Sequence, residues 1–475
     1  MKNTFLWHDY ETFSLNPRFT RPAQFAAVRT DLELNEIEKP ILIYCKLAND
    51  FIPDPSSCLI TKITPGFCFK NGISENLFAE KIKKIMSVPN TINVGYNNIS
   101  FDDEVTRFMM WRNLIDPYSH TWKKKCSRWD LINLIKAVYI FNNKSIFWPK
   151  DNEGFPSFKL ENLVKINGLL NVKLHDALVD VKSTIFLAKI IKKNNLKLFN
   201  FCVALRQKQR VLIEIGFYSK KPFLYISGFF SRKYNCLSIM LFLTINPFNK
   251  NEVLAWDLSY NIFDFVDFNK NRINDFFIKQ IKFIYTKKNN KSPIKIIYLN
   301  KSPFVVNNLK VLSKKILKKF KIKIDVIYKN FINISKIINC NFVFNDIFYK
   351  FSKKKIDIEY NLYENFISEN DKKKLLEIKK LFFLKKNKKI YFENKSLKDL
   401  VFRYKARNFY EILSLKEKKE WSNYLCSVFF FNKNNFFTIN KCLKKILFLK
   451  KQSNNYEKKI LNSLLKYIKF LILKI

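Results

Sequence analysis

Apolar positions along this chain follow two rhythms. Near the start they gather in short runs at residues 4–7, 24–29 and 41–46, broken by the turn-forming pairs Asn16-Pro17 and Lys39-Pro40. Runs of that length predict strands. The spacing then lengthens to that of a helix over 76–86, where Leu77, Phe78, Ile82 and Ile85 recur on one side. A fourth strand is predicted over 91–96, then helices over 102–111 and 129–141, the latter with Leu131, Leu134, Ile135 and Val138 on one face. A further apolar helix opens near His175 and runs through Ile185, Leu187, Ala188 and Ile191. From Leu196 onwards short runs return at 222–229, 237–243, 253–258 and 294–299 and read as strands. Beyond a junction at 352–355, helical periodicity takes over at 372–384, 396–403, 416–429 and 456–473. Strands followed by helices suit an α/β chain with a mixed sheet flanked by helices.

Length and composition narrow the class. A chain of 475 residues exceeds one ordinary core, so two or three domains are expected, and 48% hydrophobic residues give them ample material to bury. No run of about 18 apolar residues is present, so no membrane span is expected. The N-terminus enters a strand without the basic-then-apolar build of a signal peptide. Nine cysteines without CxxC pairs fit reduced thiols in a cytoplasm better than disulfides or a zinc site. The terminal Leu/Ile/Phe-with-Lys pattern suits an amphipathic helix packed on its own domain. A formal charge of +46 suits a polyanionic partner such as nucleic acid. Lysine is inflated together with Asn, Ile and Phe while glycine falls to 7, the signature of A- and T-rich coding. The charge therefore permits nucleic-acid binding and leaves specificity to motifs.

The candidate chemistry begins at Asp9 and Glu11. In a strand, side chains at i and i+2 share a face, so the two carboxylates converge at the end of an apolar run. Their repulsion calls for a cation, and hard oxygen ligands favour Mg²⁺ or Mn²⁺; taken alone, the pair also suits a solvated strand end. Asp102 stands where the 91–96 strand turns into a helix, and His175 and Asp180 open the next apolar helix. Four carboxylates and a histidine, each at the edge of a predicted element, make a catalytic set. Their order resembles the DEDDh exonucleases: Asp-x-Glu, a distant Asp, and a terminal His-x4-Asp.

The resemblance extends to the bacterial exonuclease I family. It is carried by Arg21-Pro22-Ala23-Gln24-Phe25-Ala26-Ala27-Val28-Arg29-Thr30-Asp31, by the stretch from Asn97 to Arg107, and by Ser127-Arg128-Trp129-Asp130-Leu131. Pro156-Ser157-Phe158-Lys159-Leu160-Glu161 and Tyr404-Lys405-Ala406-Arg407-Asn408-Phe409 add to it. The likeness is dense to about Lys192, thin through the middle, and returns in patches beyond residue 355. It implies a ribonuclease H-like exonuclease domain over 1–192, a Src-homology-3-like domain over 193–352, and a mainly helical C-terminal domain over 353–475.

The same resemblance implies a 3′→5′ exodeoxyribonuclease that digests single-stranded DNA processively to 5′-mononucleotides, in repair and recombination. Two divalent ions about 4 Å apart would stabilise the attacking and leaving oxygens. Asp9 would bridge two Mg²⁺ ions, replaceable by Mn²⁺, with Glu11 and Asp180 completing the first and Asp102 holding the second. His175, titrating near neutral pH, would be the general base. Substrate contacts are expected from Glu11, Arg107 and Lys159, and from Tyr118, Trp122 and Phe158 as stacking platforms for unpaired bases. Lys159 replaces the family's arginine and loses its bidentate fork. His8 is expected to support the backbone, and His120 carries no assignment. A cytoplasmic monomer is expected, with single-stranded DNA and the single-stranded-DNA-binding protein as partners. Two other readings compete. A proofreading or RNA-trimming DEDDh enzyme is usually much shorter and lacks the 23–27 and 406–408 segments. A non-catalytic single-strand-binding remnant would not need all five catalytic residues.

Overall fold

The computed structural model describes residues 2–169, 176–227, 237–265, 270–287, 292–338, 357–363, 367–388, 390–431 and 437–474. The chain divides into two compact units. The first joins residues 1–127 and 172–185 to the distant segment 353–475; the second comprises 128–171 and 186–352.

The first unit is built on β1 (Thr4–Thr12), β2 (Pro22–Thr30), β3 (Ile41–Tyr44) and β4 (Thr91–Gly95). They lie in the order β3-β2-β1-β4, and the chain passes towards the second unit within β5 (Ser127–Asp130). β1 runs antiparallel to β2 and parallel to β4. It is longer than the run at 4–7 predicts: Asp9 stands opposite Ala26 and Glu11 opposite Gln24, so both carboxylates lie inside the strand. Pairing with β2 holds this extension, which apolar periodicity alone could not show.

Alternation then sorts the side chains. Leu6, Tyr10, Phe25 and Ala27 join Phe78 and Ile82 of helix Glu75–Met86 and Val105 and Met109 of helix Asp102–Arg112 in one buried core. Each large side chain so buried contributes about 1.5–3 kcal/mol. Trp7, Asp9 and Glu11 belong to the opposite face.

The segment beyond residue 353 completes this unit. Helices Glu369–Phe383, Leu397–Asn408, Leu415–Phe430, Ile439–Gln452 and Asn455–Ile472 fill it, and capping boxes at Ser414–Glu417 and Asn454–Glu457 start two of them. Trp421, Leu425, Phe429, Ile446, Leu461 and Leu464 share a core with Phe13, Leu47, Phe51 and Cys58. The apolar face of the last helix is therefore packed on its own unit, as its pattern predicts. A third core joins Phe108 and Trp111 to Ile358, Leu375, Leu397 and Tyr404.

Between these cores sits a buried ion cluster. Arg407 reaches Asp50 Oδ2 at 2.6 Å and Glu359 Oε1 at 2.5 Å, while Arg21 lies 3.4 Å from Asp50 and 3.8 Å from Glu359. Burial opposes ionisation of Asp50, yet Arg407 and Arg21 hold its carboxyl below the usual range. Two of the segments that carry the family resemblance, near residues 21 and 407, thus meet across one buried charge network.

The second unit holds a five-stranded antiparallel sheet of β6 (Phe223–Ile226), β7 (Leu237–Ile245), β8 (Glu252–Asp257), β9 (Ile294–Tyr298) and β10 (Phe304–Val306). Its order is β10-β6-β7-β8-β9. Helix Leu131–Phe141 begins two residues later than its periodicity predicts, because Trp129 belongs to β5 and the Asp130 carboxylate caps the Ile132 N–H at 3.1 Å. Among the described residues the cysteines are free thiols, and no helix is long and apolar enough to cross a membrane.

Candidate active site

Geometry gathers the predicted carboxylates. Asp9, Glu11 and Asp180 each offer an oxygen within 4.8 Å of the others. The first two project from β1, as strand periodicity requires; Asp180 comes from the first turn of helix Ala177–Asn194. Asp102 is delivered by the end of β4. That strand pairs with β1 only as far as Trp7. A side chain at Gly95 would place its Cβ 2.8 Å from the His8 carbonyl oxygen and 2.7 Å from the Asn98 Cβ, so the chain can turn away here only without one. Asn97, with φ of 60°, continues the turn, and helix Asp102–Arg112 begins. Where β4 no longer pairs with β1, Asp102 Oδ1 accepts the Tyr10 backbone N–H at 3.1 Å.

Electrostatics follow from this crowding. Burial pushes the Asp9 carboxyl well above the usual range, and Asp102, Glu11 and Asp180 add to the push. Glu11 rises to about 8, through burial first and then Asp180, Asp102 and Asp176. The charged neighbours weighing most on both groups are therefore other carboxylates. An all-oxygen donor set crowded until its own acids resist ionisation fits a hard divalent cation, which would restore the charged form of each group. The residues present fit such an ion.

The expected substrate contacts divide between the units. In the first, Arg107 is buried, with Nη1 3.3 Å from the Tyr363 hydroxyl, 3.5 Å from Glu104 Oε1, and its guanidinium carbon 5.4 Å from the Tyr118 ring centre. The Tyr363 hydroxyl also donates to Glu104. Tyr118 is half-buried, whereas Trp122 is 62% exposed with Lys123 Nζ over its ring. In the second, half-buried Phe158 packs edge-on against Tyr139 and Trp148, and exposed Lys159 lies 3.8 Å from Glu161. His175 lies outside the described residues. His8 is buried beneath Phe25, and burial lowers its pKa.

Two residues without an assignment in the sequence reading belong to the site's frame. Asp176 caps the helix that carries Asp180, accepting the Leu178 N–H at 3.0 Å and the Val179 N–H at 3.4 Å. An acid immediately before an apolar helix was the available signal. Gln24 reaches Asp176 and Ala177 from β2, a juxtaposition across more than 150 residues that no local pattern announces.

The fold and this carboxylate centre define a hydrolytic nuclease, and the family model described as Exonuclease matches residues 6–187. The Exonuclease I SH3-like domain model matches 206–350, and the Exonuclease I C-terminal domain model matches 356–471. Exodeoxyribonuclease I of Buchnera aphidicola subsp. Schizaphis graminum is 37% identical over 98% of this chain and 95% of its own length. That of Escherichia coli is 34% identical over 90% of each. Among solved structures, exonuclease I from Methylocaldum szegediense superposes with a TM-score of 0.89 at 32% identity, covering 99% of this chain and all of its own. A zinc-bound E. coli exonuclease I complex with single-stranded DNA gives 0.88 at 31% identity, over the same shares. The chain belongs to the exodeoxyribonuclease I family.

Proposed function

We propose that this protein is an exodeoxyribonuclease that digests single-stranded DNA from its 3′ end, releasing 5′-mononucleotides processively. The observation that carries this reading is the convergence of Asp9, Glu11 and Asp180 within 4.8 Å. Asp102 weighs on the same two β1 carboxylates. Asp9, Glu11 and Asp180 would hold one Mg²⁺, and Asp102 would help hold a second. Such ions, when bound, supply positive charge for the attacking and leaving oxygens. His175 takes a proton from the attacking water as its oxygen bonds to phosphorus and the bond to the 3′ oxygen breaks. Trp122, exposed and flanked by Lys123, offers a face for an unpaired base beside a phosphate-binding ammonium. Half-buried Phe158 would stack a base and exposed Lys159 would meet a phosphate, as the family resemblance implies.

The reading retains the division at 1–192, 193–352 and 353–475, the monomeric state, the cytoplasmic location, the repair role and the single-stranded-DNA-binding protein as partner, all supported by family resemblance. The experiment is digestion of 5′- and 3′-labelled single-stranded DNA, with labelled RNA beside it, in Mg²⁺ and in chelator. Loss of the 3′ label first, in Mg²⁺ only and from DNA, is the expected result. Preferential digestion of RNA, or full activity in chelator, overturns the reading.

A further inference from the structure

We propose that Gln24 is a positioning residue: it fixes the start of the helix that carries Asp180, and thereby holds the three carboxylates at cation-binding distance. The inference rests on the metal reading above. Cross-strand register places Glu11, Gln24 and Tyr44 opposite one another on β1, β2 and β3, and directly opposed residues share a face. Gln24 is 1% exposed and uses both ends of its amide. Its Oε1 accepts the Ala177 backbone N–H at 3.0 Å. Its Nε2 donates to Asp176 Oδ2 at 3.3 Å and to the Tyr44 hydroxyl at 3.1 Å. The amide can point only one way, because a backbone N–H can only donate and a carboxylate can only accept.

Asp176 is thereby held from two sides, by the amide and by the helix N–H groups it caps. Asp180 lies one turn further on, its N–H bonded to the Asp176 carbonyl at 3.0 Å. A helix start that shifts carries Asp180 with it. β1 and β2 hold Asp9 and Glu11 in register with Gln24, so this side chain refers the third carboxylate to the first two. It touches neither a reacting atom nor the proposed ion, and acts only through the helix.

The test compares wild type with Gln24→Met, which keeps the volume and removes both hydrogen-bonding ends, and Tyr44→Phe, which removes one partner of the amide. Mn²⁺ binding is read by the electron paramagnetic resonance signal of free Mn²⁺, beside kcat and KM on a single-stranded oligonucleotide. Gln24→Met should raise the half-saturating Mn²⁺ concentration roughly 10–100-fold, the usual cost of losing a hydrogen bond that orients a ligand. kcat should fall while KM for the oligonucleotide stays at its wild-type value. Tyr44→Phe should shift Mn²⁺ binding in the same direction by less, and it carries the test if Gln24→Met does not fold. Wild-type Mn²⁺ binding in the folded variants overturns the inference. A wild-type protein that binds no Mn²⁺ fails at the metal reading instead, so the two failures are told apart.

Discussion

Asp180→Asn should stabilise the metal-free protein while abolishing its activity. The substitution keeps the shape of the side chain and removes one of three carboxylates whose oxygens lie within 4.8 Å of each other. Two unit charges at that distance repel by about 1 kcal/mol at the dielectric of water and about 3 kcal/mol at an effective value of 20. At neutral pH in chelator Glu11 holds a proton, since its pKa is pushed up to about 8, and Asp9 is pushed in the same direction, so at most one such repulsion is relieved. At about 2–4 °C per kcal/mol for a unit of this size, the midpoint should rise by up to roughly 12 °C. The sign of the pH dependence follows. An acid whose folded pKa is raised gives stability that is complete below its ordinary value and is lost as pH rises through the folded one. Wild type in chelator should therefore weaken between about pH 4.5 and 8, through Glu11. Asp180→Asn should weaken less, so the gap widens towards alkaline pH. Added Mn²⁺ should reverse the order, since only the intact cluster gains strongly from the cation. Differential scanning calorimetry at pH 6 and pH 8, with and without metal, reads all of this. If Asp180→Asn in chelator at pH 8 melts at or below wild type, the carboxylates are not in repulsion and the reasoning fails.

Other outcomes follow from the same structure. His175→Ala should slow single-turnover hydrolysis roughly 10²–10⁴-fold with little change in DNA affinity, and near-normal turnover would remove it as the base. Affinity for single-stranded DNA, measured by fluorescence anisotropy, should fall steeply as salt rises, and blunt duplex should compete poorly; equal digestion of duplex and single strand would defeat the stacking argument. Arg407→Met should cost about 3–5 kcal/mol in urea unfolding, because the buried Asp50 and Glu359 lose their shortest ion pairs and keep only the longer ones to Arg21 and Arg403, at 3.4–3.9 Å. That loss should shrink at low pH: Asp50, held below its ordinary pKa in wild type, contributes stability above that value and needs no cation once protonated.

What the sequence could reveal depended on how far each feature reaches along the chain. Asp9 and Glu11 were legible because strand geometry alone puts i and i+2 together. Asp102 and Asp180 were legible as acids at the starts of apolar helices, and family resemblance joined them to the first pair. The continuation of β1 through Thr12 was not, since β2 imposes it and the local pattern turns polar at Asp9. Trp129 looked like the start of a helix because a helical apolar pattern begins two residues on, at Leu131, and the cap at Asp130 shows where the strand ends. Helix Ile439–Gln452 escaped notice beneath its lysines, although Cys442 and Ile446 bury one face. Arg21 and Arg407 stood out only as resemblance. Their shared anions lie at Asp50 and Glu359, and nothing local at either arginine points to them.

The joining of residues 1–127 to 353–475 has a consequence for synthesis. When the strand bearing Asp9 and Glu11 leaves the ribosome, Phe13, Phe51 and Cys58 have no C-terminal helices to cover them, and Asp50 lacks Arg407. At roughly 5–20 residues per second, the intervening stretch of more than 220 residues takes about 10–45 s to make. For that interval the nascent chain presents an open apolar face and an unfinished charge cluster. The second unit can meanwhile form from contiguous sequence apart from one short excursion. Folding is thus ordered against the direction of translation: the first unit to be started is the last to close. A chain stopped between residues 180 and 353 would carry all four acids, Asp9, Glu11, Asp102 and Asp180, without the scaffold that seals their unit.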